Sequence, residues 1–78
     1  MPMALLREQL AEAEHQVGLI AAHVAWQAGL IAELRRDGHP MADAISRLRQ
    51  ACCELEVQRE HLDWLQAEIG AGLAGQGL

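Results

Sequence analysis

A long apolar stretch, Val17–Leu34, constrains the fold of this chain more than any other feature of its sequence. It reads VGLIAAHVAWQAGLIAEL, and His23 and Gln27 are its only polar side chains before Glu33. A helix that is apolar around most of its circumference is stable in water only when other elements cover it. The sequence therefore predicts a helix that must associate with further helices.

Apolar residues in the first half of the chain recur with the alternating three- and four-residue spacing of a packed helical seam. One row contains Met3, Leu10, Val17, Val24 and Ile31, and the second contains Leu6, Ala13, Ile20, Gln27 and Leu34. A third row contains only small residues, namely Ala4, Ala11, Gly18, Ala25 and Ala32. Since small residues let another backbone approach closely, we expect helix 1, from about residue 4 to 36, to have two helical neighbours.

The segment Asp37-Gly38-His39-Pro40 predicts the end of this helix and a tight turn at residues 37–40. Gly38 suits the left-handed position that closes a helix. Pro40 suits the first position of the next helix, and Asp43 complements the positive end of that helix. A short turn between two long helices predicts an antiparallel hairpin.

The second helix is predicted from about residue 40 to 69, and the glycine-rich residues 70–78 are predicted as a flexible tail. Its main apolar row contains Met41, Leu48, Leu55, Leu62 and Ile69. The companion row is expected four residues after each of these, at Ile45, Cys52, Arg59 and Gln66. Facing residues in such a hairpin have numbers that add up to about 75. The prediction is an all-α, coiled-coil-like hairpin, with residues 1–69 as its single domain.

A hairpin of 78 residues has one seam and no enclosed core, and a single small core rarely supplies more than about 3–5 kcal/mol. We therefore expect a homodimer that completes a four-helix bundle, or else a tetramer or a complex with another helical protein. The candidate interface residues are Val17, Ile20, Val24, Trp26, Gln27, Leu30, Ile31 and Leu34.

Two of these candidate residues have a specific expected role. Trp26 suits an interface anchor, although it could also lie on the outer surface. Gln27 suits a polar device that fixes register or partner choice within the seam. The alternative is a partly exposed Gln27 that bonds to Arg47, Arg49 or Gln50 nearby.

Composition narrows the classes of function. The net charge is −5 and the only cations are six arginines, which argues against nucleic-acid binding. The sequence has no catalytic motif, so we expect neither an enzyme nor a cofactor. Adjacent Cys52 and Cys53 cannot bridge comfortably in a helix, and no signal peptide is recognisable, so we expect reduced thiols in the cytoplasm. The expected function is that of a non-enzymatic interaction module, an adaptor or a regulator.

Two alternative functions stay open. The run Val17–Ala32 would be roughly 24 Å long as a helix, which is short of a hydrocarbon core of about 30 Å, yet it could lie in or on a membrane. The second alternative is a metal-binding protein, because His15 and His61 share one level of the hairpin, and His23 and Cys52 share another. No pair of these residues has CxxC or HxxxH spacing.

The residues around the turn carry a resemblance. The run Gln27-x-x-Leu30-Ile31-Ala32-Glu33-Leu34-Arg35-Arg36-Asp37-Gly38-His39 is followed by Ala44, Leu48, Leu55 and Gln58-Arg59-Glu60-His61-Leu62. This pattern resembles small uncharacterised helical-hairpin proteins of proteobacteria, which have an L-I-x-x-L-x-x-D-G-H turn between two helices. The resemblance covers roughly residues 15–62. It implies a helical hairpin and no particular activity.

Overall fold

The structure, a computed structural model, describes residues 2–76. These residues form two α-helices and no strand: α1 is Met3–Arg36 and α2 is Ala42–Gln76. The helices pack side by side and antiparallel, so that the molecule is a rod with extents of 62 × 15 × 14 Å. The predicted all-α helical hairpin is confirmed.

A Schellman turn closes α1. The Gly38 N–H donates to the Arg35 carbonyl at 3.2 Å, and the His39 N–H donates to the Leu34 carbonyl at 2.9 Å. These two bonds satisfy carbonyls that the end of a helix otherwise leaves without partners. Gly38 has a φ of 74°, which side-chain-bearing residues rarely adopt, so its predicted role is confirmed.

The start of α2 lies two residues later than predicted. The Met41 carbonyl accepts the first helical hydrogen bond, from the Ile45 N–H, at 2.9 Å. Pro40 therefore precedes the helix instead of occupying its first turn. The three residues before Ala42 give the chain the length to cross between helix axes that typically lie about 8–10 Å apart. Asp43 lies in the first turn, as predicted.

The end of α2 also differs from the prediction, because the helix continues past Ile69 to Gln76. Glycine in a helix costs about 1 kcal/mol relative to alanine, so contacts with α1 must offset that cost. Such a contact exists at Gly72, where an added Cβ would lie 2.7 Å from the Met3 Cε atom. The segment predicted as a tail is thus helical through Gln76, and residues 77–78 lie outside the described residues.

Both predicted rows of α1 form the seam between the helices. The buried residues of α1 are Leu6, Ala13, Gln27 and Ile31, and all four belong to those rows. Near the chain ends, Leu10, Leu62 and Ile69 pack against a buried cluster of Leu6, Ala13 and Leu65. The facing residues in this cluster have numbers that add up to about 75, as the hairpin geometry predicts.

The companion row of α2 differs from the prediction by one residue. It lies three residues after the main row, because Ala44, Ala51 and Leu65 are buried. Arg59 and Gln66, which were predicted there, are exposed. Burying an unpaired arginine is costly, whereas the observed row buries Leu65 completely and leaves the charge in water.

Candidate interaction surface

Large apolar side chains lie on the outside of the hairpin. In the part of the chain that the structure describes, five of them are between 41% and 62% exposed: Leu5, Leu19, Trp26, Val57 and Trp64. Scattered hydrophobic residues are normal on a soluble protein, so their arrangement has to decide whether they are informative.

All five exposed residues occupy the same position of the heptad repeat. Each one comes two residues after a member of the main seam row, namely Met3, Val17, Val24, Leu55 and Leu62. Side chains two residues apart in a helix point about 200° apart, so this position lies on the outer flank of its helix. We call Leu5, Leu19, Trp26, Val57 and Trp64 the outer apolar row.

Both helices present the outer apolar row to the same side of the hairpin. A groove of about 390 Å³ runs between the helices and is lined by Gln9, Glu12, Ala13, Gln16, Gln58 and His61. Glu12 occupies the outer-row position of α1 between Leu5 and Leu19, and His61 lies one helical turn before Trp64. Since one groove contains both residues, the outer flanks of the two helices share one face, which we call the apolar face.

The two helices complement each other along the apolar face. On α1 the outer row is interrupted by Glu12, but α2 places Trp64 at that level of the hairpin. At the next level, Leu19 of α1 lies across from Val57 of α2. At each of these levels, at least one of the two helices therefore has a large apolar side chain in its outer row.

The same complementation continues towards the turn. Trp26 lies at the level of Gln50, so α1 supplies the apolar side chain where α2 has a polar one. One heptad further on, Glu33 and Asp43 occupy the outer position of both helices. The apolar face thus extends over four consecutive heptads and ends in an acidic pair beside the turn.

Each tryptophan of the apolar face stacks with a histidine one turn earlier. The ring centroids are 6.2 Å apart in both pairs, with interplanar angles of 20° for His23–Trp26 and 13° for His61–Trp64. Such ring contacts are attractive at these distances.

Most of the predicted interface residues lie in the seam of the hairpin itself. Gln27 and Ile31 are buried there, and Val17, Ile20, Val24 and Leu34 are half-buried in the same two rows. Leu30 is half-buried outside those rows. Among the candidates, only Trp26 is exposed and belongs to the apolar face.

The sequence of either helix alone does not identify Leu5 and Val57 as surface residues. A signal for them existed, because large apolar residues recur two positions after the seam on both helices. That signal is weak on each helix separately, since Glu12 and Gln50 interrupt the two rows. It becomes clear only when the register of the hairpin places the rows side by side.

Gln27 is 5% exposed, and its Oε1 atom is buried without a hydrogen-bond partner. The alternative of a partly exposed Gln27 is therefore wrong. The companion residues of α2 before and after this level of the seam, Ala44 and Ala51, are small and buried. An unsatisfied buried polar atom costs about 1–3 kcal/mol.

The residues considered for metal binding are not brought together. His15, His23 and His61 are exposed, and Cys52 is half-buried. Within the described residues, no three His, Cys, Asp or Glu side chains form a group that could hold a metal ion. Cys52 and Cys53 are both free thiols.

Of the two helices that the structure describes, α1 is long and apolar enough to cross a membrane, by length and composition alone. Its most apolar window of 18 residues has a mean hydropathy of 1.4, and the hairpin buries 11% of that window. The packing of α2 against one side therefore leaves most of this apolar stretch uncovered.

No family model, curated protein or solved structure matches the chain. The interpretation of the apolar face therefore depends on the residues that form it.

Proposed function

We propose that this protein is a non-enzymatic helical association module that pairs its apolar face with a helical partner. The observation that carries the proposal is the placement of five large exposed hydrophobic residues at one heptad position on one side of the hairpin. Large exposed apolar side chains that are gathered on one side of a protein are typical of an interaction site. Trp26 and Trp64 are of the residue type most often found as binding hot spots.

The partner proposed first is a second copy of the chain. Two hairpins that meet face to face would give each helix two neighbours and form a four-helix bundle with one shared core. The single seam of the isolated hairpin favours this solution, because Leu65 is the one large residue that is completely buried among the side chains that the structure describes. Another helical protein with a matching apolar face is the alternative partner.

The oligomeric state in solution tests the proposal. Light scattering behind size exclusion, in detergent-free buffer, should give twice the chain mass of 8.5 kDa. Trp26→Glu should give a monomer with unchanged helicity, since Trp26 is exposed and supports no contact of the seam. Ala25→Glu is the matched control, because the neighbouring Ala25 is exposed on the other side of α1, and it should stay dimeric. A monomeric wild type, or a dimeric Trp26→Glu, would contradict self-association through this face.

A membrane-associated hairpin is the second candidate, and the uncovered apolar stretch of α1 favours it. In that case lipid would cover the surface that a second copy covers in the first candidate. Flotation with uncharged phosphatidylcholine vesicles distinguishes the two. A protein that stays with the soluble fraction supports the association module, which we place in the cytoplasm, and a protein that floats supports the membrane hairpin.

A further inference from the structure

We infer that the apolar face binds a basic amphipathic helix, in which lysines or arginines border a row of apolar side chains, and that such a helix displaces a second copy. The inference rests on the proposed function, because it concerns the same face, and it names the chemistry of the partner. It follows from where the hairpin carries its carboxylates and where it carries its arginines.

The apolar face carries most of the negative charge of the chain. Its charged residues occupy either the heptad position of the outer apolar row or the position of His61, which lines the groove on this face. They are five carboxylates and one cation, namely Glu12, Glu33, Asp43, Glu54, Glu68 and Arg47. All six side chains are exposed. Five negative charges and one positive charge give this face −4 of the formal net charge of −5.

The other arginines lie away from the apolar face. A second groove, of about 230 Å³, marks the opposite side of the hairpin and is lined by Ala28, Ile31, Ala32, Arg35 and Leu48. Arg7 has the same heptad position as Arg35 and therefore lies on that side as well. Within residues 2–76, the ion pair that forms joins Arg36 to Asp37 beside the turn, where the Nε and Oδ1 atoms are 3.6 Å apart. No carboxylate of the apolar face takes part in an ion pair within these residues, so all five can meet a cation from a partner.

Each large apolar side chain that α2 contributes to this face has a carboxylate one helical turn away. Glu54 precedes Val57 by three residues, and Glu68 follows Trp64 by four residues. Residues at these spacings are neighbours on the surface of a helix. A partner helix whose apolar side chains cover Val57 and Trp64 would therefore bring its flanking side chains to two carboxylates. Lysine and arginine suit these flanking positions, because their aliphatic stems cover apolar surface while their charged ends stay at its edge.

A second copy matches the apolar side chains of this face but not its charges. Face-to-face pairing of two copies brings together ten carboxylates and two arginines, whichever way the second copy is turned. Like charges that meet across an interface oppose association, whereas complementary charges favour it and select the partner. A basic helix offers the same apolar contacts and adds electrostatic attraction, so it should bind more tightly than a second copy does.

Tryptophan fluorescence tests the inference directly. Trp26 and Trp64 are the two tryptophans of a chain that has no tyrosine, and both are exposed on the apolar face. The probe is a peptide of about 18 leucine and lysine residues, with the leucines at helical three- and four-residue spacing. A second peptide has glutamate in place of every lysine. The lysine peptide should shift the emission of the protein to shorter wavelength in a saturable way, and it should bind at least about tenfold more tightly than the glutamate peptide.

Two double variants show whether the carboxylates of the face itself are responsible. Glu54→Gln with Glu68→Gln removes two carboxylates of the apolar face. Glu56→Gln with Asp63→Asn is the matched control, because both residues are exposed one position after the main seam row, on the other side of α2. The two variants change the net charge equally, so a long-range attraction would affect them equally. The first should bind the lysine peptide about tenfold more weakly than wild type, and the control should stay within about twofold. Circular dichroism should show the same helicity for both.

The outcomes separate the basic partner from the proposed function. Equal binding of the two peptides, or an equal loss in the two double variants, overturns the inference. A dimeric wild type that the lysine peptide does not convert to a complex of one protein with one peptide, by light scattering, overturns it as well and leaves self-association in place. A monomeric wild type that binds the lysine peptide as expected supports the inference and overturns self-association. A monomeric wild type that binds neither peptide overturns both.

Discussion

At the scale of single residues, Gln27 is a buried polar side chain that should lower the stability of the hairpin. Its Oε1 atom is buried without a partner among side chains that are mostly apolar. We expect Gln27→Leu to raise the free energy of unfolding by about 1–2 kcal/mol, because it removes an unsatisfied polar atom and keeps a similar shape. Urea denaturation measures this change, with Gln66→Leu, at an exposed position away from the apolar face, as the control that should leave stability within about 0.5 kcal/mol. An unchanged midpoint for Gln27→Leu would mean that Oε1 is hydrogen-bonded in solution.

Two neighbouring residues of α1 should respond differently to the same substitution. Val24 is half-buried in the seam, whereas Trp26 lies on the apolar face. Val24→Glu places a charge between the helices, so it should lower the helical signal as well as abolish association. Trp26→Glu should abolish association alone. Circular dichroism and light scattering on the two variants check this, and a fully helical Val24→Glu would show that the seam tolerates a carboxylate there.

At the scale of the elements, the turn and the helices should respond to glycine replacement with opposite signs. An added Cβ would meet nothing within 4 Å at either Gly38 or Gly29, so only the backbone conformation distinguishes the two positions. Gly38→Ala should destabilise the hairpin by about 1–2 kcal/mol, because a side chain disfavours its positive φ. Gly29→Ala should stabilise α1 by about 0.5–1 kcal/mol. Chemical denaturation measures both changes, and changes of equal sign would contradict the turn geometry.

The elements also differ in how far the sequence alone predicts them. The turn is predictable because Gly38 and its neighbours determine it locally, and the rows of α1 are predictable because they are regular. The companion row of α2 is not predictable in the same way. Ile45 is more apolar than Ala44, and Cys52 is about as apolar as Ala51, so these positions favour the wrong row. The packing of Leu65 decides between the two rows. The end of α2 depends on the contact of Gly72 with Met3, from the opposite end of the chain.

The candidate site is harder to predict than the fold because it depends on the register between the two helices. Trp26 is recognisable from the sequence as an apolar residue outside the seam. The apolar face as a whole is not, because Glu12 interrupts its α1 row and Gln50 interrupts its α2 row. The two rows complement each other only when the correct register places Trp64 at the level of Glu12, and that register is a property of the packed pair of helices.

At the scale of the whole molecule, a thin hairpin and an uncovered apolar face should make stability depend on concentration. If a second copy binds only the folded hairpin, association stabilises the native state by mass action. The midpoint of thermal unfolding should therefore rise as the protein concentration is raised, by several degrees for each 1 kcal/mol gained in a domain of this size. The midpoint of Trp26→Glu should stay constant over the same range, because that variant keeps the seam and loses the face. Calorimetry of both proteins over a hundredfold range of concentration decides the question. A wild-type midpoint that does not move would mean that the hairpin folds alone and that its apolar face is reserved for a different partner or for lipid.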